Sequence, residues 1–132
     1  MKQFGLSSTE RIKSKKEFDL VYSAGEILFS SNQKLKAVFK IERETEQAVL
    51  KAAFAVSSKA GIAVWRNRLK RLMREAFRTN KHILKSLVEE KKNRLLIVFS
   101  PVRLNERKNK KIVLADVLPE IVDLMNQIHA RL

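Results

Sequence analysis

The stretch Trp65-Arg66-Asn67-Arg68-Leu69-Lys70-Arg71-Leu72-Met73-Arg74-Glu75-Ala76-Phe77-Arg78 sets apolar and basic residues at helical spacing, between segments that read as strands. At roughly 3.6 residues per turn, about 100° each, Arg66, Asn67, Lys70, Arg71, Arg74 and Arg78 fall in one wide stripe. Trp65, Leu69, Leu72, Met73 and Ala76 fall opposite, with Phe77 at their margin and Arg68 on the other flank. One face can bury in a core while the other holds a row of cations. A helix that is merely solvated mixes signs, because like charges four residues apart repel and opposite ones attract. Arg66, Lys70, Arg74 and Arg78 are like charges at successive i, i+4 steps, so an anionic partner explains the pattern better than solvent.

Upstream, the period changes from 3.6 to 2. From Lys34, the residues Leu35, Ala37, Phe39 and Ile41 alternate with Lys36, Val38 and Lys40. Glu42 to Gln47 reads as a polar hairpin connection. A return strand over about Val49 to Ser57 puts Leu50, Ala52, Phe54 and Val56 on one side and Val49, Lys51, Ala53, Ala55 and Ser57 on the other. One face of the sheet is therefore apolar and the other small and basic. Ile27-Leu28-Phe29 reads as a brief strand before these. Ahead of it, Ser14-Lys15-Lys16-Glu17 has the S-x-x-E spacing of a capping box, opening a short helix with Phe18, Leu20, Val21 and Tyr22. Gly25 is placed to end that helix.

Downstream, Lys81 to Lys92 continues as helix with a kink or break after Thr79-Asn80. Leu95-Leu96-Ile97-Val98-Phe99 is an unbroken apolar run of strand length, the pattern of a central strand buried on both faces. Arg103 to Lys111 has the composition of an exposed basic loop, and Val113 to Leu132 reads as a final helix that Pro119 restarts or kinks. The order α-β-β-β-α-β-α predicts an α/β (α+β) two-layer sandwich on a four-stranded sheet, a single domain over residues 1–132, with 1–13 expected to be flexible.

The 28 Lys and Arg against 14 Asp and Glu leave a net charge of +14, an electrostatic footprint for nucleic acid. A membrane surface is the main competitor, but no apolar run approaches the roughly 18 residues that span a bilayer. The absence of cysteine excludes disulfides and thiolate metal sites. Met1 to Lys16 has no apolar segment of a secretory signal, and a cytoplasmic location is expected.

The run Phe54-Ala55-Val56-Ser57-Ser58-Lys59-Ala60-Gly61-Ile62-Ala63-Val64 and the helix after it resemble the signature of the protein component of bacterial ribonuclease P. That family has a strand ending S-V-S-K-K, then G-x-A-V-x-R-N-R-x-K-R, commonly followed by R-E-A-F. Lys16 to Gly25 is similar to its first helix, with Phe18, Val21, Tyr22 and Gly25 at the spacing F-x-x-V-[FY]-x-x-G, and the likeness spans about residues 10 to 130. The chain departs from the pattern where Ser58-Lys59 replaces paired lysines and where Lys36 takes the place of an aromatic. Its Arg103–Lys111 loop and Lys81–Lys92 segment are longer than typical.

The resemblance implies a left-handed β-α-β crossover, an exception to the right-handed rule. It implies an RNA-binding subunit of a ribonucleoprotein whose RNA removes the 5′ leader of precursor transfer RNA using Mg²⁺, bound mainly by that RNA. No protein-bound cofactor, further protein partner or membrane is expected. By the same resemblance, Lys59, Arg66, Asn67, Arg68, Lys70, Arg71 and Arg74 would contact the catalytic RNA. Phe18, Tyr22, Lys36, Lys51 and Ser57 would line the leader cleft. Phe18 and Tyr22 share a helical face, which suits either a core or two stacking platforms. His82 and His129 stand far apart without neighbouring ligands, and no spaced Asp/Glu set suggests two catalytic metals. A general basic RNA-binding module, such as a ribosomal protein, is the alternative. It would explain the charge but not the aromatic first helix beside a lysine-edged sheet face.

Overall fold

The Ser14 hydroxyl accepts the Glu17 N–H at 3.1 Å and opens helix α1, Lys15–Ala24, where the cap spacing predicts it. This computed structural model describes residues 10–132. The expected flexibility of 1–13 therefore lies mostly outside the described residues. Its last part is tied down: Ile12 is buried, and its N–H donates to the Ala52 carbonyl at 3.1 Å. Gly25 ends α1, but with φ −84° rather than in the left-handed region. Its need for glycine is steric, since a Cβ there would stand 2.3 Å from the Val21 carbonyl oxygen and 2.8 Å from that of Phe39.

Four strands follow: β1 Glu26–Phe29, β2 Leu35–Glu42, β3 Val49–Phe54 and β4 Arg94–Pro101. Their order in the sheet is β1-β2-β4-β3. β2 and β3 are thus not the hairpin that the polar connection suggests. β4 lies between them, antiparallel to β2 and parallel to β3. The reason is in its sequence: Leu95 to Phe99 are apolar on both faces and all fully buried, which only a central position permits. β3 also stops at Phe54, short of the expected Ser57, although the Ala55 N–H still reaches the Phe99 carbonyl at 2.9 Å.

Helices α2 (Ala63–Asn80), α3 (His82–Lys91) and α4 (Leu114–His129) cover one sheet face. Leu69, Met73, Leu84, Val117 and Ile121 meet Leu35, Ala37, Phe39, Ile97 and Phe99 in that core. The rings of Phe54, Phe77 and Phe99 join β3, α2 and β4, with Phe54 stacked on Phe99 at 5.7 Å. On the opposite face α1 lies alone, burying Val21 against Val38, Leu96 and Val98, with Ile12, Phe18, Leu20, Ala53 and Ala55 around them.

The break expected near Thr79-Asn80 falls at Lys81. Thr79 and Asn80 side chains hydrogen-bond the last-turn carbonyls of Glu75 and Ala76, each at 2.9 Å, which weakens the continuing ladder. α4 runs through Pro119 without a restart. No described helix is long and apolar enough to cross a membrane.

Candidate nucleic-acid interface

α2 is mounted by the chain that leads into it. The Ser57 hydroxyl accepts the Lys59 N–H at 3.2 Å and starts a short 3-10 turn, Ser58–Ala60. Ile62 then caps α2 without a polar side chain of its own. The carboxylate of Glu106 serves instead, accepting the Ile62 N–H at 3.0 Å, a negative group at a helix N-terminus. Gly61 permits this approach, because a Cβ there would meet the Glu106 Cβ at 2.8 Å and the Trp65 ring at 3.0 Å.

The inner face of α2 buries Trp65, Leu69, Met73, Ala76 and Phe77. Phe77 belongs fully to this core rather than to its margin, held there by its ring contacts with Phe54 and Phe99. Outward stand Asn67, Arg68, Arg71 and Arg74, exposed, with Arg66 and Lys70 half-buried beside them. Arg66 Nε donates to the Gly61 carbonyl at 3.0 Å, which fixes its side chain. The Arg74 guanidinium lies over the Phe54 ring at 6.0 Å, a cation–π contact. Burial, with the like charges of Arg11 and Arg71, holds its pKa below the usual arginine value. Arg78 drops out of the row, since Glu75 takes it in a two-pronged pair at 2.7 and 2.8 Å. The free cationic stripe thus runs from Arg66 to Arg74, and among the described residues Arg66, Arg68, Lys70 and Arg71 have no carboxylate partner.

Beside the foot of α2 an open groove of about 560 Å³ runs over the end of the sheet that α1 leaves bare. Lys36, Ala55, Ser57 and Ser100 form part of its lining, and Lys59, Leu104 and Asn105 stand among the other residues that wall it. Lys36 and Ser100 are direct cross-strand partners, so one lysine faces a small hydroxyl across the sheet. The small residues keep the floor low, and the lysines make it attractive to an anion.

The residues expected to line one cleft are distributed. Lys36 and Ser57 meet in this groove, with Lys59 at its lip. Phe18 lines a separate cavity of about 190 Å³ with Arg11, Ile12, Ala53, Phe54 and Arg74. Tyr22 stands 55% exposed on α1. Lys51 is taken out of the groove: its ammonium pairs with Glu17 at 2.9 Å, and Arg94 shares the same carboxylate oxygen at 2.9 Å. Glu17 is therefore an ion-pair centre rather than the second half of a capping box. Sequence reading did not single out Arg11, Ser100 or Asn105. Only the strand register and the loop docking, both non-local, bring them to these cavities.

Among the described residues no three His, Asp or Glu side chains converge. The groove itself is lined by lysines and small residues, with no carboxylate among its lining residues.

A family model described as Ribonuclease P matches residues 6–117. The ribonuclease P protein component of Porphyromonas gingivalis is 35% identical over 100 residues, 75% of this chain and 72% of its own length. That of Oleidesulfovibrio alaskensis is 32% identical over 123 residues, 93% of this chain and 89% of its own. The solved ribonuclease P protein of Thermotoga maritima superposes with a TM-score of 0.68 at 24% identity, covering 89% of this chain and 96% of that one.

Proposed function

The chain belongs to the ribonuclease P protein family, and from that premise we propose how its surfaces divide the work. As a family member it is the protein component of an endoribonuclease, assembled with ribonuclease P RNA and acting in 5′ processing of transfer RNA. The proposal concerns what each surface does. α2 docks on the RNA subunit, its cations following a phosphate backbone. The groove beside it receives the single-stranded 5′ leader of precursor transfer RNA. Catalysis belongs to the RNA, with Mg²⁺ held mainly there.

The observation that carries this reading is the stripe from Arg66 to Arg74: cations with no carboxylate partner among the described residues, on a helix whose other face is locked in the core. The helix pre-positions the backbone of this row, so little backbone ordering opposes binding. The groove supports the second half, since small residues between lysines admit a chain of nucleotides without reading base edges. On this reading the protein's contribution is binding and electrostatic relief.

Reconstituted cleavage tests the division of labour. Purified chain alone leaves a leader-bearing precursor intact. Chain plus ribonuclease P RNA cleaves it at Mg²⁺ concentrations where the RNA alone is slow. Cleavage by the chain alone, surviving treatment with micrococcal nuclease, would contradict the assignment of catalysis to RNA.

A further inference from the structure

The loop Arg103–Lys111 carries five basic residues and one acidic one, and neither the helix nor the groove as described uses its charges. It is not a free excursion. Leu104 and Ile112 are buried at its two ends. Within it, the Asn109 N–H donates to the Asn105 carbonyl at 2.8 Å and the Lys108 N–H to the Asn105 side-chain oxygen at 2.9 Å.

Three further bonds fasten it to the start of α2. The Glu106 N–H donates to the Ala60 carbonyl at 2.8 Å, the Glu106 carboxylate accepts from Ile62 N–H at 3.0 Å, and Trp65 Nε1 donates to the Asn109 carbonyl at 2.9 Å. The loop's single acid is thus turned inward and spent on the helix N-terminus. Arg107, Lys108, Lys110 and Lys111 are left exposed, and none has a carboxylate partner among the described residues.

We infer that this loop is a second phosphate-contacting surface for ribonuclease P RNA, continuous with the N-terminal end of α2. The inference rests on the reading of α2 as the RNA-docking helix. Continuity comes from the three bonds above, which hold the loop and the first turn of α2 in one rigid unit. The RNA subunit is favoured over the leader because Leu104 and Asn105 wall the groove, whereas Arg107, Lys108, Lys110 and Lys111 are not among its lining residues. A cluster of four like charges on a docked loop is a poor solvated surface and a good match for closely spaced phosphates.

The test replaces Arg107, Lys108, Lys110 and Lys111 together with Ala, sparing Asn105, Glu106 and Asn109. A companion variant with Gln at the same four positions removes the charge while keeping a polar side chain. Affinity for ribonuclease P RNA is measured across a salt series beside wild type and the α2 variant Arg68→Ala/Arg71→Ala. Both loop variants keep the wild-type melting temperature and bind RNA more weakly. The slope of log affinity against log salt becomes shallower by about three units, at roughly 0.7–0.9 per lost phosphate contact. The ratio of precursor to mature transfer RNA affinity in the holoenzyme stays unchanged. A wild-type slope for the loop variants, with the α2 variant weakened, overturns the loop and leaves the helix reading intact. A fall in the precursor-to-mature ratio with intact RNA-subunit binding overturns it in favour of the leader. Wild-type behaviour of loop and helix variants alike overturns both.

Discussion

Glu17→Gln isolates one non-local interaction that holds α1 to the sheet. The Glu17 carboxylate is 12% exposed and accepts from Lys51 and Arg94, each at 2.9 Å. Burial raises its pKa and is the largest single influence, but the hydrogen bonds and charges of Lys51 and Arg94 together outweigh it and bring the value below 4.5. The lowered folded-state pKa means that this stability is fully present above the unfolded-state value near 4.5 and is lost as pH falls through the lower one. Two charge-assisted hydrogen bonds would be worth about 1.5–3 kcal/mol each if dry. Lys51 and Arg94 are 25% and 33% exposed, so water screens them, and about 1–2 kcal/mol in total remains. For a chain of this length that lowers the melting temperature by about 4–8 °C at neutral pH. Calorimetric melts of both proteins from pH 7 down to pH 3 check it. The gap is present at pH 7 and narrows in acid as the wild-type carboxylate protonates. Equal melting temperatures at neutral pH, or a gap that acid leaves unchanged, would refute the reasoning.

Other perturbations follow from the packing. Leu69→Ala removes a fully buried side chain between α2 and the sheet and costs about 2–5 kcal/mol in a denaturant titration. Gly25→Ala has an acceptable φ of −84° but drives a Cβ onto two backbone carbonyl oxygens, so it destabilises by roughly 1–3 kcal/mol. A change under half a kcal/mol there would show that the α1–β1 joint yields. Phe18→Ala lowers holoenzyme affinity for a precursor with a several-nucleotide leader by on the order of tenfold, the scale of one stacked base. Binding of mature transfer RNA is unchanged. Equal losses for both RNAs, tracking a lower melting temperature, would place Phe18 in the core alone.

Much of the architecture was legible because it is written in local periods. The alternation from Lys34 to Ile41, the two-sided run Leu95–Phe99 and the α2 stripe each name their element and buried face. What stayed hidden depends on partners distant in the chain. Ser14 announces a cap by spacing, yet the fate of Glu17 is set by Lys51 and Arg94, 34 and 77 residues away. The same non-locality turned a presumed groove lysine, Lys51, into a structural one. It placed β4 between β2 and β3 where adjacency suggested a hairpin. Glu106 reads as one acid in a basic loop, and only the fold reveals it as the cap of α2. The candidate site was legible as a helix face. The groove beside it needed the register that sets Lys36 opposite Ser100.

The salt dependence of RNA binding tests the central claim most directly. Arg66→Ala, Arg68→Ala, Lys70→Ala and Arg74→Ala lie off the buried face of α2 and leave the protein folded. If α2 docks on ribonuclease P RNA, each weakens binding and makes the slope of log affinity against log salt shallower by nearly one unit. Wild-type slopes in all four variants would contradict the account, because the cationic stripe would then face something other than RNA.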